Sequence, residues 1–510
     1  MTTHLVLDGD GLLHRQVYRA LRGAILDGAL APGARLPSTR TLTHDLGVSR
    51  TPILLAYEQL VAEGYVAGRR GSGTYVAGTL APAAQDPARV IPPRCAPMPP
   101  RLSRFGLRAL ESARGVPGWR LRDASLPYDF RYGRPAYGDF PHETWRRVLA
   151  RCARRAPVGA LDYGPPEGLP ALREAIAAYA SRARGVRCSA EDVMIVNGSQ
   201  QGLDLAARVL VDPGLPVVLE EPQYAGARRV FEAVGARVRS VPVDADGIRV
   251  DLLPRRARLA YVTPSHQFPT GAVLPVPRRL ALLAWAERAA AYVIEDDYDS
   301  EYRYTARPVE SLQGLDRAGR VVYLGTFSKV LFPALRLGYV VVPESLRRAF
   351  RAAKGLSDTG SATLEQAALA EFIRDGHFAR HVSRSRARCA ARRLALLDAL
   401  RHHLGDRAEV RGADAGLHVL LWLRDVPGSR LPVLVRAAEE LGVGIYPVAP
   451  HCSEAPPTAG LVLGYASLTE ASIREGIRRL ARALARCDEP PASWATGPSR
   501  SARRGVRGPA

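Results

Sequence analysis

At 510 residues, 47% of them hydrophobic, the chain is long enough for more than one domain with a full core. No apolar run approaches the ~20 residues of a membrane span, the N-terminus lacks a signal peptide's basic and apolar regions, and six scattered cysteines offer neither metal-ligand nor disulfide-framework spacing, so a reducing cytoplasm is expected and a membrane partner is not. A formal net charge of +21 favours polyanions such as nucleic acid.

Residues 1–78 read as a small separate module. Leu13, Val17, Ala20, Leu21, Ala24 and Ile25 recur at helical spacing, and Gly28 ends that helix. Pro32-Gly33 makes a turn, Ser38 caps a second helix through about residue 46, and Gly47 closes it. Ser49 caps a third, across 51–62. Two helices joined by a tight glycine turn form a helix-turn-helix whose second helix is the candidate DNA reader. Residues 64–76 read as a hairpin with a basic turn, a candidate wing. Within it Gly71-Ser72-Gly73 is a weak nucleotide-loop signal, because no helix follows. The runs Pro32-Gly33-Ala34-Arg35-Leu36-Pro37-Ser38, Leu46-Gly47-Val48-Ser49-Arg50-Thr51, Ala56-Tyr57-Glu58 and Glu63-Gly64-Tyr65 are similar, at several spacings at once, to GntR-family winged helices. That resemblance implies contacts with double-stranded operator DNA from Arg40, Ser49, Arg50 and Thr51, and from Arg70 and Gly71 in the wing. Pro52 and Leu54 stand where relatives often carry a hydroxyl and a basic residue, which leaves the operator sequence open.

Residues 79–123 are rich in Pro, Ala and Arg with little periodicity, and read as a linker. From 124 to 488 strands alternate with helices, which implies an α/β domain with a mostly parallel sheet and a smaller C-terminal α/β domain. The strand Val193-Met194-Ile195-Val196 runs into Asn197-Gly198-Ser199-Gln200 at a helix start, where free N–H groups suit an anion such as a phosphate. Another strand ends in Glu295-Asp296-Asp297-Tyr298. Alternation puts Asp296 and Tyr298 on one face at its carboxyl end, where open α/β sheets bind ligands. The run Val321-Val322-Tyr323-Leu324 precedes Thr326, Ser328, Lys329 and Arg336. A lysine amine can attack an aldehyde, and the hydroxyls with Arg336 can hold a phosphate. Of 71 Lys+Arg, lysine occurs only at Lys329 and Lys354. Arginine keeps its proton and forms no imine, so the sequence keeps lysine where amine chemistry needs it. Lysine, aspartate, tyrosine and a phosphate-binding arginine together are what pyridoxal 5'-phosphate requires. Residues 489–510, rich in Pro, Ser, Gly and Arg, read as a disordered basic tail.

From about residue 125 to 487 the chain resembles the fold-type I aminotransferases, and so a PLP-dependent transferase fold. The resemblance implies that Tyr224 stacks on the pyridine ring. It also implies that Tyr163, in Asp162-Tyr163-Gly164-Pro165, reaches the cofactor of a second subunit in a homodimer. In the loop Thr263-Pro264-Ser265-His266-Gln267-Phe268-Pro269-Thr270-Gly271, Phe268 replaces the usual asparagine. His266 and Gln267 are the nearby polar substitutes, and His266 is the candidate cofactor contact. A GntR-like module followed by such a domain resembles the MocR/GabR regulators, as do that loop and Glu295-Asp296-Asp297-Tyr298-Asp299-Ser300-Glu301. The function implied is transcription regulation through pyridoxal phosphate, with a small amine, an amino acid or the cofactor itself as effector. The alternative is a working aminotransferase with a tethered DNA-binding module. Val462 stands where catalytic relatives place a carboxylate-binding arginine, and loss of that clamp counts against efficient transamination.

Overall fold

The computed structural model describes residues 5–69, 71–78, 101–113, 126–155, 162–304 and 310–488. The chain divides into two compact units, Met1–Arg101 and Leu102–Ala510.

In the first unit, α1 (Leu13–Leu26), α2 (Thr39–Leu46) and α3 (Arg50–Ala62) precede a hairpin of β1 (Val66–Arg69) and β2 (Gly73–Val76). The boundaries follow from local chemistry. The Ser38 hydroxyl accepts from the Thr41 N–H at 3.0 Å, and Gly47 ends α2 in the left-handed region at φ 62°. Val17, Leu21, Leu42, Ile53, Ala56, Tyr57 and Leu60 bury one face of each helix, and Val66 and Val76 close that core with the hairpin. The Tyr57 hydroxyl donates to the Pro37 carbonyl at 2.7 Å, tying α3 to the turn before α2.

The second unit opens earlier than the sequence predicts. Inside the expected linker, Arg104–Ala113 forms a helix, α4. Ser103 starts it, its hydroxyl accepting from Gly106 N–H at 3.1 Å, and Arg108 Nε donates to the Ala233 carbonyl at 2.9 Å. The flanking prolines obscured a proline-free run with Phe105, over which Arg208 lies at 5.6 Å. The rest of the predicted linker, and the tail from 489, lie outside the described residues apart from 101–103.

After β3 (Tyr128–Asp129) come eight strands of one sheet: β4 (Val193–Val196), β5 (Pro216–Glu221), β6 (Arg237–Asp244), β7 (Gly247–Ile248), β8 (Leu259–Val262), β9 (Tyr292–Asp297), β10 (Val321–Thr326) and β11 (Gly338–Val341). Their order is β4-β11-β10-β9-β8-β5-β6-β7. Strands β10, β9, β8, β5 and β6 pair in parallel, while β11 runs antiparallel to both β10 and β4. Both faces are covered, so the central strands are apolar along most of their length and carry acids only at the carboxyl ends of β5 and β9. Ile294, Val322 and Leu324 pack on one face with Leu203, Phe231 and Phe350, whereas Val293 and Val321 pack on the other with Leu282 and Trp285. A smaller antiparallel sheet of β12 (Ala408–Arg411), β13 (His418–Pro427) and β15 (Thr458–Gly464) forms the C-terminal part, and β14 (Val443–Gly444) pairs with β3. The long helices His377–Leu404 and Glu470–Asp488 pack with it.

Candidate functional site

The parallel strands end on one edge of the large sheet, and a cavity of about 280 Å³ opens there. Nine residues singled out in the sequence line it together: Lys329, Asp296, Tyr298, Tyr224, Ser199, Gln200, Thr326, Ser328 and Arg336. Lys329 lies three residues beyond β10, and its Nζ donates to the Gly133 carbonyl at 3.0 Å.

Strand alternation decides what the acids at the end of β9 do. Asp297 turns away and pairs with buried Arg184 at 2.7 Å, taking a second bond from the Tyr323 hydroxyl. Asp296 faces the cavity, its Oδ2 accepting from the Tyr261 hydroxyl at 2.7 Å while its buried Oδ1 has no partner. Burial pushes the Asp296 carboxyl up to about 6, against the Tyr261 hydrogen bond and the Lys329 charge, which lower it. A buried carboxylate oxygen without a donor is costly. A protonated ring nitrogen would satisfy it, so the donor set fits pyridoxal phosphate.

The other end suits the phosphate. The helix Ser199–Leu210 begins at Gly198, φ 84°, with no side chain capping its first N–H groups. Arg336, itself left-handed at φ 53°, donates to the Asn197 carbonyl at 2.6 Å. Glycine suits this φ, and a Cβ at Gly198 would sit 2.7 Å from that guanidinium and push it aside. Helix dipole, N–H groups and guanidinium converge where an anion would be held. Thr326 Oγ1 accepts from the Ser328 N–H at 3.1 Å, fixing the turn that carries both hydroxyls.

Two expected contacts lie elsewhere. His266 is not on the cavity wall but behind it. The Tyr298 hydroxyl donates to the His266 carbonyl at 2.9 Å and lies 3.1 Å from Nδ1, which also faces Asp299 at 3.1 Å. Gln267 turns away too, donating to the Pro222 and Phe268 carbonyls at 2.8 Å, so Phe268 is the loop residue that lines the cavity. Tyr163 is 87% exposed and outside the cavity of its own chain, beside residues 359–363.

Sequence reasoning missed the roles of Tyr132, Tyr261, Asp299 and His418 at this site. Tyr261 carried a faint signal, a phenol inside an otherwise aliphatic buried strand. Tyr132 and His418 carried none, because the chain brings them from the ends of distant strands.

On the first unit, Arg40, Ser49, Arg50, Thr51 and Gly71 are all exposed, and Arg70 lies outside the described residues. Ser49 occupies the N-cap of α3 without capping it through its side chain, so its hydroxyl stays available to a phosphate. Val462 on β15 is fully buried with Leu420 and Val448 in an apolar cluster against which Tyr132 packs.

Residues 135–480 match the family described as aminotransferase class I and II, and residues 13–76 match the bacterial regulatory proteins of the gntR family. The chain is 41% identical over 487 residues to the probable rhizopine catabolism regulatory protein MocR of Rhizobium meliloti, covering 94% of this chain and 96% of that one. It is 37% identical to the HTH-type transcriptional regulator TauR of Rhodobacter capsulatus, covering 93% and 97%. Among solved structures, the α-aminoadipate aminotransferase LysN of Thermus thermophilus, complexed with N-(5'-phosphopyridoxyl)-L-leucine, aligns with a TM-score of 0.68 at 32% identity, covering 76% and 97%. Winged helix, aminotransferase fold and end-to-end similarity agree, and the chain belongs to the MocR-type transcriptional regulators of the GntR family.

Proposed function

We propose that this regulator holds pyridoxal 5'-phosphate on Lys329 and that a small amine or amino acid, or the cofactor itself, sets its affinity for operator DNA. The observation that carries this is the partnerless Asp296 Oδ1 in the cavity that Lys329 and Arg336 also line. When bound, the cofactor supplies an aldehyde for amines and an electron-withdrawing ring. Lys329 would anchor it, Asp296 would hold the ring nitrogen and Tyr298 the phenolate oxygen. Tyr224 would cover the ring, and Ser199, Gln200, Thr326, Ser328 and Arg336 would hold the phosphate. His266, pressed between Tyr298 and Asp299, would fix the Tyr298 hydroxyl instead of touching cofactor. Tyr163, exposed on its own subunit, would complete the partner's site in a homodimer. Arg40, Ser49, Arg50, Thr51, Arg70 and Gly71 would contact double-stranded DNA. A protein that acts on operator DNA works in the cytoplasm, and no described helix is long and apolar enough to cross a membrane.

The anchoring set around Lys329 also favours a second reading, a working aminotransferase tethered to a DNA-binding module. Two experiments separate the readings. DNA selected by the full chain from a random library should lose binding when residues 1–78 are deleted; unchanged binding would end the regulator proposal. Steady turnover of an amino acid with a keto acid, with no effect of either on DNA affinity, would favour the enzyme.

A further inference from the structure

Three side chains meet at the back of the cavity. The Tyr298 hydroxyl lies 3.1 Å from His266 Nδ1, and the same nitrogen lies 3.1 and 3.2 Å from the two Asp299 carboxylate oxygens. His266 and Asp299 are both buried. The other ring nitrogen, Nε2, is buried too and finds no hydrogen-bond partner among the described residues. Glycines shape the slot that holds this pair. A Cβ at Gly416 would run into both the imidazole and the Asp299 carboxylate, and one at Gly271 would stand 3.0 Å from Nε2. Asp299 is fixed in turn by the Leu417 N–H, which donates to it at 3.3 Å. The His418 ring lies 5.0 Å from that of His266, centre to centre. Burial holds His418 well below the ordinary histidine range and Tyr298 well above the ordinary phenol range, so both stand neutral beside the pair.

These contacts decide where the ring carries its hydrogen. A bare Nδ1 would set its lone pair against the Asp299 carboxylate and leave a buried Nε2–H with no acceptor, which is costly on both counts. Hydrogen on Nδ1 avoids both costs. That N–H donates to Asp299 and faces the Tyr298 oxygen, so the imidazole offers the phenol no lone pair. The phenol must send its own hydrogen elsewhere, and the His266 carbonyl accepts it at 2.9 Å. With the cofactor bound, the phenolate oxygen proposed to sit at Tyr298 becomes the competing acceptor. We infer that Asp299 is a positioning residue: by keeping hydrogen on His266 Nδ1, it keeps the Tyr298 hydrogen off the imidazole and available to the cofactor. The inference rests on the proposed seating of the cofactor at Lys329 and Tyr298.

The test uses the full chain loaded with pyridoxal phosphate, with borohydride reduction and peptide mapping done first. An unlabelled Lys329 at that step would overturn the proposed function itself. With Lys329 labelled, the absorbance of the lysine-bound cofactor is followed against pH, and its midpoint reports how well the phenolate form is held. Tyr298→Phe should raise the midpoint by about 0.5–1 pH unit, the shift that loss of one hydrogen bond corresponds to. No rise would overturn the seating at Tyr298, and the inference with it. Asp299→Asn keeps the shape, but its amide can donate to Nδ1 and move the ring hydrogen to Nε2. The bare Nδ1 then draws the Tyr298 hydrogen away, and the midpoint should rise by a similar amount. Loss of the Asp299 charge alone acts in the opposite direction, since a nearby carboxylate favours the protonated cofactor. A fall or no change in Asp299→Asn would therefore overturn the inference and leave the cofactor site standing. Added to Tyr298→Phe, Asp299→Asn should give no further rise; an equal rise would show that Asp299 acts without Tyr298 and would overturn the inference. NMR of the parent chain carrying isotope-labelled histidine gives a check that needs no variant at 299. The ring signal absent from His266→Gln should carry hydrogen on Nδ1 alone, and hydrogen on Nε2 would overturn the inference.

Discussion

Lys329 and Lys354 differ in what surrounds them. Lys354 is fully buried, with its Nζ on Asp358 at 2.6 and 2.7 Å and on Ser361 at 3.1 Å, so its amine is committed to an ion pair. Lys329 opens into the cavity. Lys329→Ala should therefore lose the cofactor attachment that borohydride fixes, and a mapped label on Lys354 would contradict the site. Asp296 gives a pH prediction. Its carboxyl sits at about 6 in the folded, cofactor-free chain against an ordinary 3.8, so the folded state binds more protons between those values. Stability of the cofactor-free chain through this group therefore falls as pH rises across that window, and stays low above it. A ring N–H paired with Asp296 removes this penalty. The rise in Tm on adding cofactor should be larger at pH 8 than at pH 5, and Asp296→Asn should flatten the difference; equal shifts in the parent chain at both pH values would contradict the pairing. Glu220, Glu295 and Glu301, each pushed to about 7 mainly by burial, do not line the cavity, and their contribution cancels in the comparison. Most of the nine cavity residues were legible because they sit at or just beyond the end of a recognisable strand or at the start of a helix, whereas Arg336 follows the short turn Pro333–Leu335. His266 was not placed correctly, because side-chain directions in the loop 263–271 depend on what Gln267 and Asp299 bond to across the fold.

Helix α3 carries the candidate base contacts at its first turn and the module's core on its other face. Arg50→Ala should lower affinity for a selected DNA by about 1–3 kcal/mol if the guanidinium reads a base, whereas Arg40→Ala, at a phosphate, should weaken all sequences alike and flatten the salt dependence. Equal loss on selected and unrelated DNA for Arg50→Ala would remove its base contact. Tyr57→Phe keeps the ring and removes the bond to Pro37, and should cost about 1 kcal/mol in denaturant unfolding of the module. The helices of this unit were legible almost to the residue, since Ser38, Gly47 and Gly64 punctuate them. Helix α4 was not, because proline content set the expectation for the whole segment and its contacts, Arg108 to Ala233 and Arg208 to Phe105, are long-range.

Alternating strands and helices announced a mostly parallel sheet, but not the insertion of β11 antiparallel between β4 and β10. Its pairing with β4 joins segments far apart in sequence and leaves no local trace. Joining a winged helix to a cavity proposed to bind an amine in one chain has a thermodynamic consequence. A ligand shifts DNA binding only by its different affinities for the DNA-competent and incompetent states, and DNA must shift ligand binding by the same factor. The most direct measurement is fluorescence anisotropy of a selected DNA titrated with the full chain in three states: cofactor-free, loaded with pyridoxal phosphate, and loaded with a small primary amine added. The reverse titrations of cofactor and amine are followed by absorbance with and without that DNA. The DNA Kd should differ between at least two states by about 5- to 150-fold, with a matching factor in the reverse titration. Equal DNA Kd in all three states, with Lys329 labelled and the amine bound, would contradict regulation through this site.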